Sequence, residues 1–458
     1  MAERTFSVDA TLVKLLTEKK YRSLRDLLET MNGADIAAVL NDLDENYLPP
    51  LFRLLPKELA ADTFVEMEPE AQELLIRGFS DSELKEVLDE LYVDDAVDIV
   101  EEMPANVVKR ILKQADPEMR KMINEILKYP DDSAGSIMTT EYVSLRPEMT
   151  AEEAIKRIRR TGVDKETIYT CYVTEGRRLI GMVSVKDLLL CGDDDATIAS
   201  IMEENVITVT TTEDQEQVAQ KFSKYNFLAL PVVDNENLLV GIVTFDDAMD
   251  VMEDEATEDM EKMAAMLPSE HPYMRSTPLE IFKNRIPWLL LLMVSATLTG
   301  LVISRFEGAL GVLPCLTAFI PMLMDPGGNS GSQACVSIIR GISLNEIEFG
   351  DLLRVVWKEC RVAILCGIVL GCACFGKIML VDHLLLHNTS VTALVALVVC
   401  LSMVLTVFLA KLVGCSLPLL AKKLGFDPAV MASPLITTIV DFLSLLVYFS
   451  FAISLLHI

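Results

Sequence analysis

The chain has 458 residues, too many for one hydrophobic core and suited to two or three domains. Its formal charge of -28 belongs to one part only: residues 1–276 hold 58 acidic and 29 basic residues, whereas residues 277–458 hold 10 and 11. The first part would repel phosphates, which disfavours nucleic acid as a partner and favours cations, and the second is apolar enough for a bilayer.

Met1–Lys20 is polar and charged and lacks the apolar core of a secretory signal, so the acidic part is expected to stay in the cytosol. Residues 1–130 are predicted to be helical, with apolar residues at helical spacing (Ile36, Val39, Leu40, Leu43) and prolines at 49, 56, 69, 104 and 117 separating short segments. Ala34–Leu43, Leu59–Glu68 and Asp95–Met103 are loosely repetitive, as stacked turns of a small helical superhelix would be.

Residues 131–250 change character. Short β-rich runs (Tyr169–Val173, Ile180–Val185, Val206–Val209, Leu228–Val233, Leu239–Val243) alternate with helical segments, and the region is duplicated. Ile137-Met138 matches Ile201-Met202, and Gly181-Met182-Val183-Ser184-Val185-Lys186-Asp187 matches Gly241-Ile242-Val243-Thr244-Phe245-Asp246-Asp247. This α/β repeat resembles a tandem pair of CBS domains. The resemblance implies a nucleotide site in which Asp187 or Asp247 meets the ribose.

An acidic connecting helix follows over residues 251–284, and residues 285–458 are expected to form a transmembrane domain. Five spans are predicted near 286–305, 309–340, 361–382, 391–415 and 429–457, each long enough to cross about 30 Å of hydrocarbon. Pro326-Gly327-Gly328 is expected to break the second. Arg340, Arg354, Lys358 and Arg361 lie between spans two and three, and Lys422 and Lys423 between four and five. By the positive-inside rule these loops face the cytosol and the C-terminus faces out. Residues 343–358 carry apolar positions suited to lying on the inner membrane surface.

Three constellations carry chemistry. Asp441 sits inside the last span among Thr437, Thr438 and Ser444, with no basic residue in that span; a carboxylate at such depth usually faces a partner or a watery path. Asp325-Pro326-Gly327-Gly328-Asn329 interrupts the second span, and irregular backbone at membrane depth is tolerated only in protein or beside water. Its carbonyls, the Asn329 amide and the carboxylates are hard oxygen ligands. They suit Mg2+, which is reluctant to shed its waters. In the cytosolic part, Asp94, Asp95 and Asp98 form one acidic run with Glu101 and Glu102. Asp246, Asp247, Asp250, Glu255, Glu258 and Asp259 form another. Divalent ions between such faces would turn repulsion into attraction and favour a compact state. Taken residue by residue, each acid of either run is read more readily as part of a solvated surface.

Together these residues resemble the MgtE family of magnesium channels and transporters. The resemblance rests on Tyr129-Pro130 with Ser133-Ala134-Gly135-Ser136-Ile137-Met138, and on Arg285, Trp288 and Phe306-Glu307 about the first span. Its most specific parts are Gly327-Gly328-Asn329-Ser330-Gly331-Ser332-Gln333 and Asp427-Pro428-Ala429 followed by Pro434, Thr437-Thr438 and Asp441. The family implies a multi-pass plasma-membrane homodimer whose second and fifth spans line one pore, with Asp441 as the pore aspartate. It further implies that cytosolic Mg2+ binds between the helical domain, the CBS pair and the connecting helix and closes the pore, with ATP on the CBS pair. The Asp325-Pro326 pair leaves the local pore shape open. A secondary transporter exchanging Mg2+ for Na+ or H+ is the alternative, and a membrane-bound sensor without transport is a further one. Four histidines and no nucleophile–base motif argue against an enzyme.

Overall fold

The computed structural model describes residues 11–269, 273–274, 276–388, 390–431 and 433–457. The first ten residues of the polar start lie outside them. The chain forms two compact units, Met1–Met252 and Glu253–Ile458.

The first unit begins with short helices between Tyr21 and Ile126. The prolines punctuate them as expected: Pro69 and Pro117 sit in the first turns of Pro69–Gly78 and Pro117–Ile126, where a missing N–H costs nothing. Ser80 and Glu83 form a reciprocal cap on Asp81–Leu88. Each helix buries one stripe, so that Leu24, Ile36, Leu51, Phe64, Leu75, Leu84, Val97 and Ile111 merge into a common core. Helix α1 (Val93–Glu102) buries Val93, Ala96, Val97, Ile99 and Val100 and keeps its acids along the remaining surface, except Asp94, which is buried.

The duplicated region forms two three-stranded sheets. β1 (Ser144–Leu145) pairs in parallel with β2 (Thr170–Glu175), which pairs antiparallel with β3 (Arg178–Ser184). β4 (Val209–Thr210), β5 (Ala229–Val233) and β6 (Leu239–Thr244) repeat the order. The repeated motifs explain each other across the halves. A Cβ on Gly241 would lie 2.6 Å from the Thr139 carbonyl and 2.7 Å from the Met138 sulfur; one on Gly181 would lie 2.7 Å from the Met202 sulfur. Each Ile-Met segment therefore packs on a β-strand glycine that only a missing side chain allows, and isolated bridges Thr139–Ile242 and Met182–Glu203 fasten the exchange. Helix α2 (Phe245–Met263) leaves β6 directly and runs unbroken through the acidic stretch.

In the second unit, α3 (Pro278–Arg305) starts at a Thr277–Glu280 capping box with Pro278 at its first position. It is followed by α4 (Ile320–Ser343), α5 (Leu352–Lys377, continuing as a π-helix over Ile378–Leu385), α6 (Ala393–Lys423) and α7 (Ser433–Leu456). Among the described residues four helical segments are long and apolar enough to cross a membrane: Pro278–Arg305, Phe349–Leu385, Ala393–Lys423 and Ala429–Leu456.

Expectations about the second span are corrected here. The second span begins at Ile320, not 309, because a short helix (Glu307–Val312) and a 3-10 segment (Pro314–Phe319) precede it. Helix α4 is too polar to pass as a span by composition, since it carries Asp325, Asn329, Gln333, Arg340 and several serines; packing against α6 and α7 shelters its buried face. The break at Pro326-Gly327-Gly328 is absent, and α4 is continuous through it. Proline removes only one N–H, the partner of the Met322 carbonyl, and the glycines lie in close contact with Thr406 and Thr437 of neighbouring helices, which holds the helix in place. Within the segment expected to lie on the inner membrane surface, 343–358, a 3-10 turn (Phe349–Asp351) leads into α5 at Leu352.

Candidate ion pathway and regulatory cluster

In the membrane unit, glycine decides where helices meet. A Cβ on Gly327 would lie 2.6 Å from the Thr406 methyl on α6, and one on Gly328 would lie 3.0 Å from the Thr437 methyl on α7. Gly331 and Gly414 bring backbones together, since a Cβ on Gly414 would lie 2.2 Å from the Gly331 carbonyl. Gly327 and Gly328 are therefore buried contact points of an intact helix, not donors of freed carbonyls. This close approach sets α4 beside α7. Asp441 on α7 is half-buried, Asp325 on α4 is exposed, and they lie near enough for their charges to repel. Asn329 turns its amide back along α4, donating to the Asp325 carbonyl (2.9 Å) and carboxylate (3.3 Å), so its own amide oxygen faces outward from that pair. Thr437 offers its methyl to Gly328 while its hydroxyl donates to the Pro434 carbonyl at 2.9 Å, leaving oxygen lone pairs as acceptors.

A second intramembrane pair was not singled out from the sequence. Lys411, buried on α6, lies 3.4 Å from Glu359 on α5. A lysine inside an otherwise apolar run was the available signal; its partner, 52 residues away, carried none.

In the first unit the structure gathers Asp94, Asp95 and Asp98 on α1 with Asp246 and Asp247 at the start of α2. It adds two residues that the sequence reading missed, Glu141 and Glu166. The N-terminus of α1 has no side-chain cap of its own; instead the Glu141 carboxylate accepts from the Val93 N–H at 3.0 Å and from the Thr139 hydroxyl at 3.1 Å. Glu141 follows the repeated Ile-Met segment, so that segment also delivers a carboxylate to the helix end. Nothing in the residues around Glu166 marked it.

Crowding and burial raise the affinity of these groups for protons. Burial, then the charge of Asp247, pushes Asp94 well above the usual carboxylate range and Asp95 to about 7. The same two causes raise Asp98 to about 7, although its side chain is exposed and solvent screens part of that effect. Burial and the charge of Asp95 raise Glu166 to about 8. Burial raises Asp247 to about 6 against the lowering effect of its hydrogen bonds from Thr244. Among the described residues no three of these groups are already arranged as a ligand set. The cluster is thus a region of unrelieved negative potential whose carboxylates a divalent cation would draw together.

The remaining acids of α2 lie elsewhere. In the second unit Glu258 pairs with Lys262, which also meets Asp427 at 2.7 Å, and Asp259 accepts from the Ser343 hydroxyl at 3.2 Å. Asp250 and Glu255 belong to the same helix, each with interactions of its own.

The two repeat aspartates part company. Asp187 lines a pocket of about 270 Å³ together with Ser184, Thr170, Glu203, Asn226 and Pro231. Asp247 instead accepts hydrogen bonds from its own Thr244 and belongs to the acidic cluster.

Comparison with known proteins agrees with this architecture. Residues 320–451 match the MgtE family of divalent cation transporters, 31–132 the MgtE intracellular N domain, and 134–192 and 198–254 CBS domains. The chain is 37% identical over 452 residues to the magnesium transporter MgtE of Thermus thermophilus, covering 98% of each. It is 32% identical over 448 residues to that of Bacillus subtilis, covering 97% of each. Among solved structures, the cytosolic domain of the Mg2+ channel MgtE in complex with ATP is 38% identical, with a TM-score of 0.51 over 53% of this chain and 99% of that one. The soluble part of a magnesium transporter is 34% identical, with a TM-score of 0.51 over 55% of this chain and 99% of that one. The helical N domain, the CBS pair and the membrane helices are therefore those of a magnesium transporter, and the chain belongs to the MgtE family.

Proposed function

We propose that this transporter is a channel through which Mg2+ crosses the membrane, closed when Mg2+ binds its cytosolic acids. The observation that carries the reading is the pair Asp441 and Asp325 on adjoining helices, beside the Asn329 amide and the Thr437 oxygen. Two carboxylates that repel each other favour a dication, and oxygen groups around them suit one that keeps its water shell. Helix α3 supports a homodimer: among the described residues Val302 is its one buried side chain, as expected if a second copy covers part of it.

Closure rests on the cytosolic cluster. Without a cation, Asp94, Asp95, Asp98, Asp246, Asp247, Glu141 and Glu166 repel one another. A divalent ion would favour the closely packed arrangement, and the continuous helix α2 would transmit the change to the membrane helices. Glu258 and Asp259 on the same helix, near Lys262, Asp427 and Ser343, are further points of adjustment; Asp250 and Glu255 complete the acidic surface of that helix. ATP is assigned to the pocket that Asp187 lines, since Asp247 is engaged by Thr244 and belongs to the acidic cluster.

Flux of Mg2+ into proteoliposomes with the inner Mg2+ concentration varied tests this reading. A channel conducts without a Na+ or proton gradient and closes as Mg2+ rises on the cytosolic face. Uptake that requires either gradient would replace the channel with an exchanger.

A further inference from the structure

The membrane unit carries a surface that the ion pathway does not use. Gly367 and Gly371 bring α5 against Val404 of α6, and beside this contact the helices part to leave a cavity of about 300 Å³. It is lined by Ala363, Ile364, Val404, Leu405, Phe408 and Phe451, all apolar, and its size is at the lower end of small-ligand pockets. Ile364 is half exposed at its rim.

One to two helical turns toward the cytosolic end of α5 the surface changes sign. Trp357 is seven residues before Ile364 and shares its face; Arg361 lies between them. Trp357 is 66% exposed and the Arg361 guanidinium sits 5.9 Å from its ring centre. Arg354 is tied to Asp351 at 3.2 Å, but Lys358 and Arg361 have no acidic partner among the described residues. An exposed indole with adjacent free bases, immediately above an apolar furrow, matches an anionic amphiphile entering from the inner leaflet.

We propose that this face binds an anionic phospholipid of the inner leaflet, its headgroup on Lys358 and Arg361 beside Trp357 and an acyl chain in the furrow between α5 and α6. Charge complementarity selects the lipid over a second copy of the chain. Two copies meeting through this patch across a two-fold axis would set the same bases against each other. The proposal rests on the membrane placement of these helices and not on how the pore is gated.

The chain has two tryptophans, so the full-length Trp288→Phe variant leaves Trp357 as the sole indole. It is reconstituted in phosphatidylcholine vesicles containing a small, equal mole fraction of acyl-brominated phosphatidylglycerol or acyl-brominated phosphatidylcholine. The expected result is several-fold stronger quenching of Trp357 by the anionic phosphatidylglycerol, weakening as salt is raised. Lys358→Gln with Arg361→Gln should equalise the two lipids, and Leu405→Phe should reduce quenching by phosphatidylglycerol by crowding the furrow. The exposed positions of Lys358 and Arg361 keep that variant foldable. Equal quenching by both lipids in the parent protein would mean ordinary bulk contact and overturn the proposal. Absence of quenching by either would mean that protein, such as a second copy, covers the face, and would overturn it equally.

Discussion

The carboxylates of this protein are used in two opposite ways. Among the membrane helices α4 to α7 they are few: Asp325 and Asp441 lie near enough on adjoining helices for their charges to repel, and Glu359 is matched by Lys411. In the cytosolic unit one group of them is crowded together, with Asp94, Asp95, Asp98, Asp247, Glu141 and Glu166 raising one another's proton affinity. Each buried charge in a bilayer is expensive, so one or two suffice to define a cation path. At an aqueous domain surface a single carboxylate is worth little, and a cooperative response needs a crowd. On the proposed function, the same residue type would mark a conduit where it is isolated and a sensor where it is massed.

The comparison is tested most severely in the membrane. Asp441→Asn keeps the shape and removes the charge, and is expected to lower Mg2+ flux about 100-fold, equivalent to ~2.7 kcal/mol of barrier. Flux in proteoliposomes, with size-exclusion chromatography to confirm an intact protein, measures it; wild-type flux would remove Asp441 from the path. In the cytosolic cluster, Asp94→Asn with Asp95→Asn should leave maximal flux unchanged. It should raise the Mg2+ concentration needed for closure about tenfold, or ~1.4 kcal/mol. Patch recordings with Mg2+ varied on the inner face decide it, and an unchanged closing concentration would reduce these acids to solubilising surface.

Proton binding sharpens the same contrast. Asp95 holds its proton to about pH 7 in the folded chain, whereas an unfolded aspartate loses it near ~3.9. A folded-state value raised in this way stabilises the Mg2+-free fold fully below ~pH 4, and that contribution is lost as pH rises through about 7. Glu166 extends the loss toward about 8. Limited proteolysis of the full-length protein is therefore expected to speed up between pH 6 and 8 without Mg2+, and Mg2+ should protect more strongly at the higher pH because fewer protons compete. A protection gap independent of pH would show that the ion binds elsewhere.

The smallest expected effect separates the two CBS halves. Asp187→Ala should weaken ATP binding to the full-length protein about fivefold, or ~1 kcal/mol, while Asp247→Asn should leave ATP affinity unchanged and alter the Mg2+ response instead. Isothermal titration with each variant reads both. Equal loss of ATP affinity in the two variants would return the repeat to symmetry.

Much of this was legible in the chain itself. Helical spacing in residues 1–130, the paired Gly-φ-φ-[Ser/Thr]-x-x-Asp turns, the concentration of acid before residue 277 and the apolar runs after it are local patterns, read by composition and period. They determined an α-helical domain, an α/β pair, a connecting helix and a membrane region, and they marked Asp441 through its setting alone. What local pattern cannot report is which distant side chains meet. Asp187 and Asp247 occupy equivalent turns, yet one faces a pocket and the other lies beside α1, because the hydrophobic core of the helical domain continues into the second repeat around Phe222, Val243 and Ala248. Glu141 and Glu166 entered the acidic cluster by strand exchange and loop position, and Glu359 found Lys411 across two helices. Pro326-Gly327-Gly328 spelled a break, but the helix survived it. The glycines are held by Thr406, Thr437 and Val440, and contact across helices outweighs the weak preference of the residues themselves.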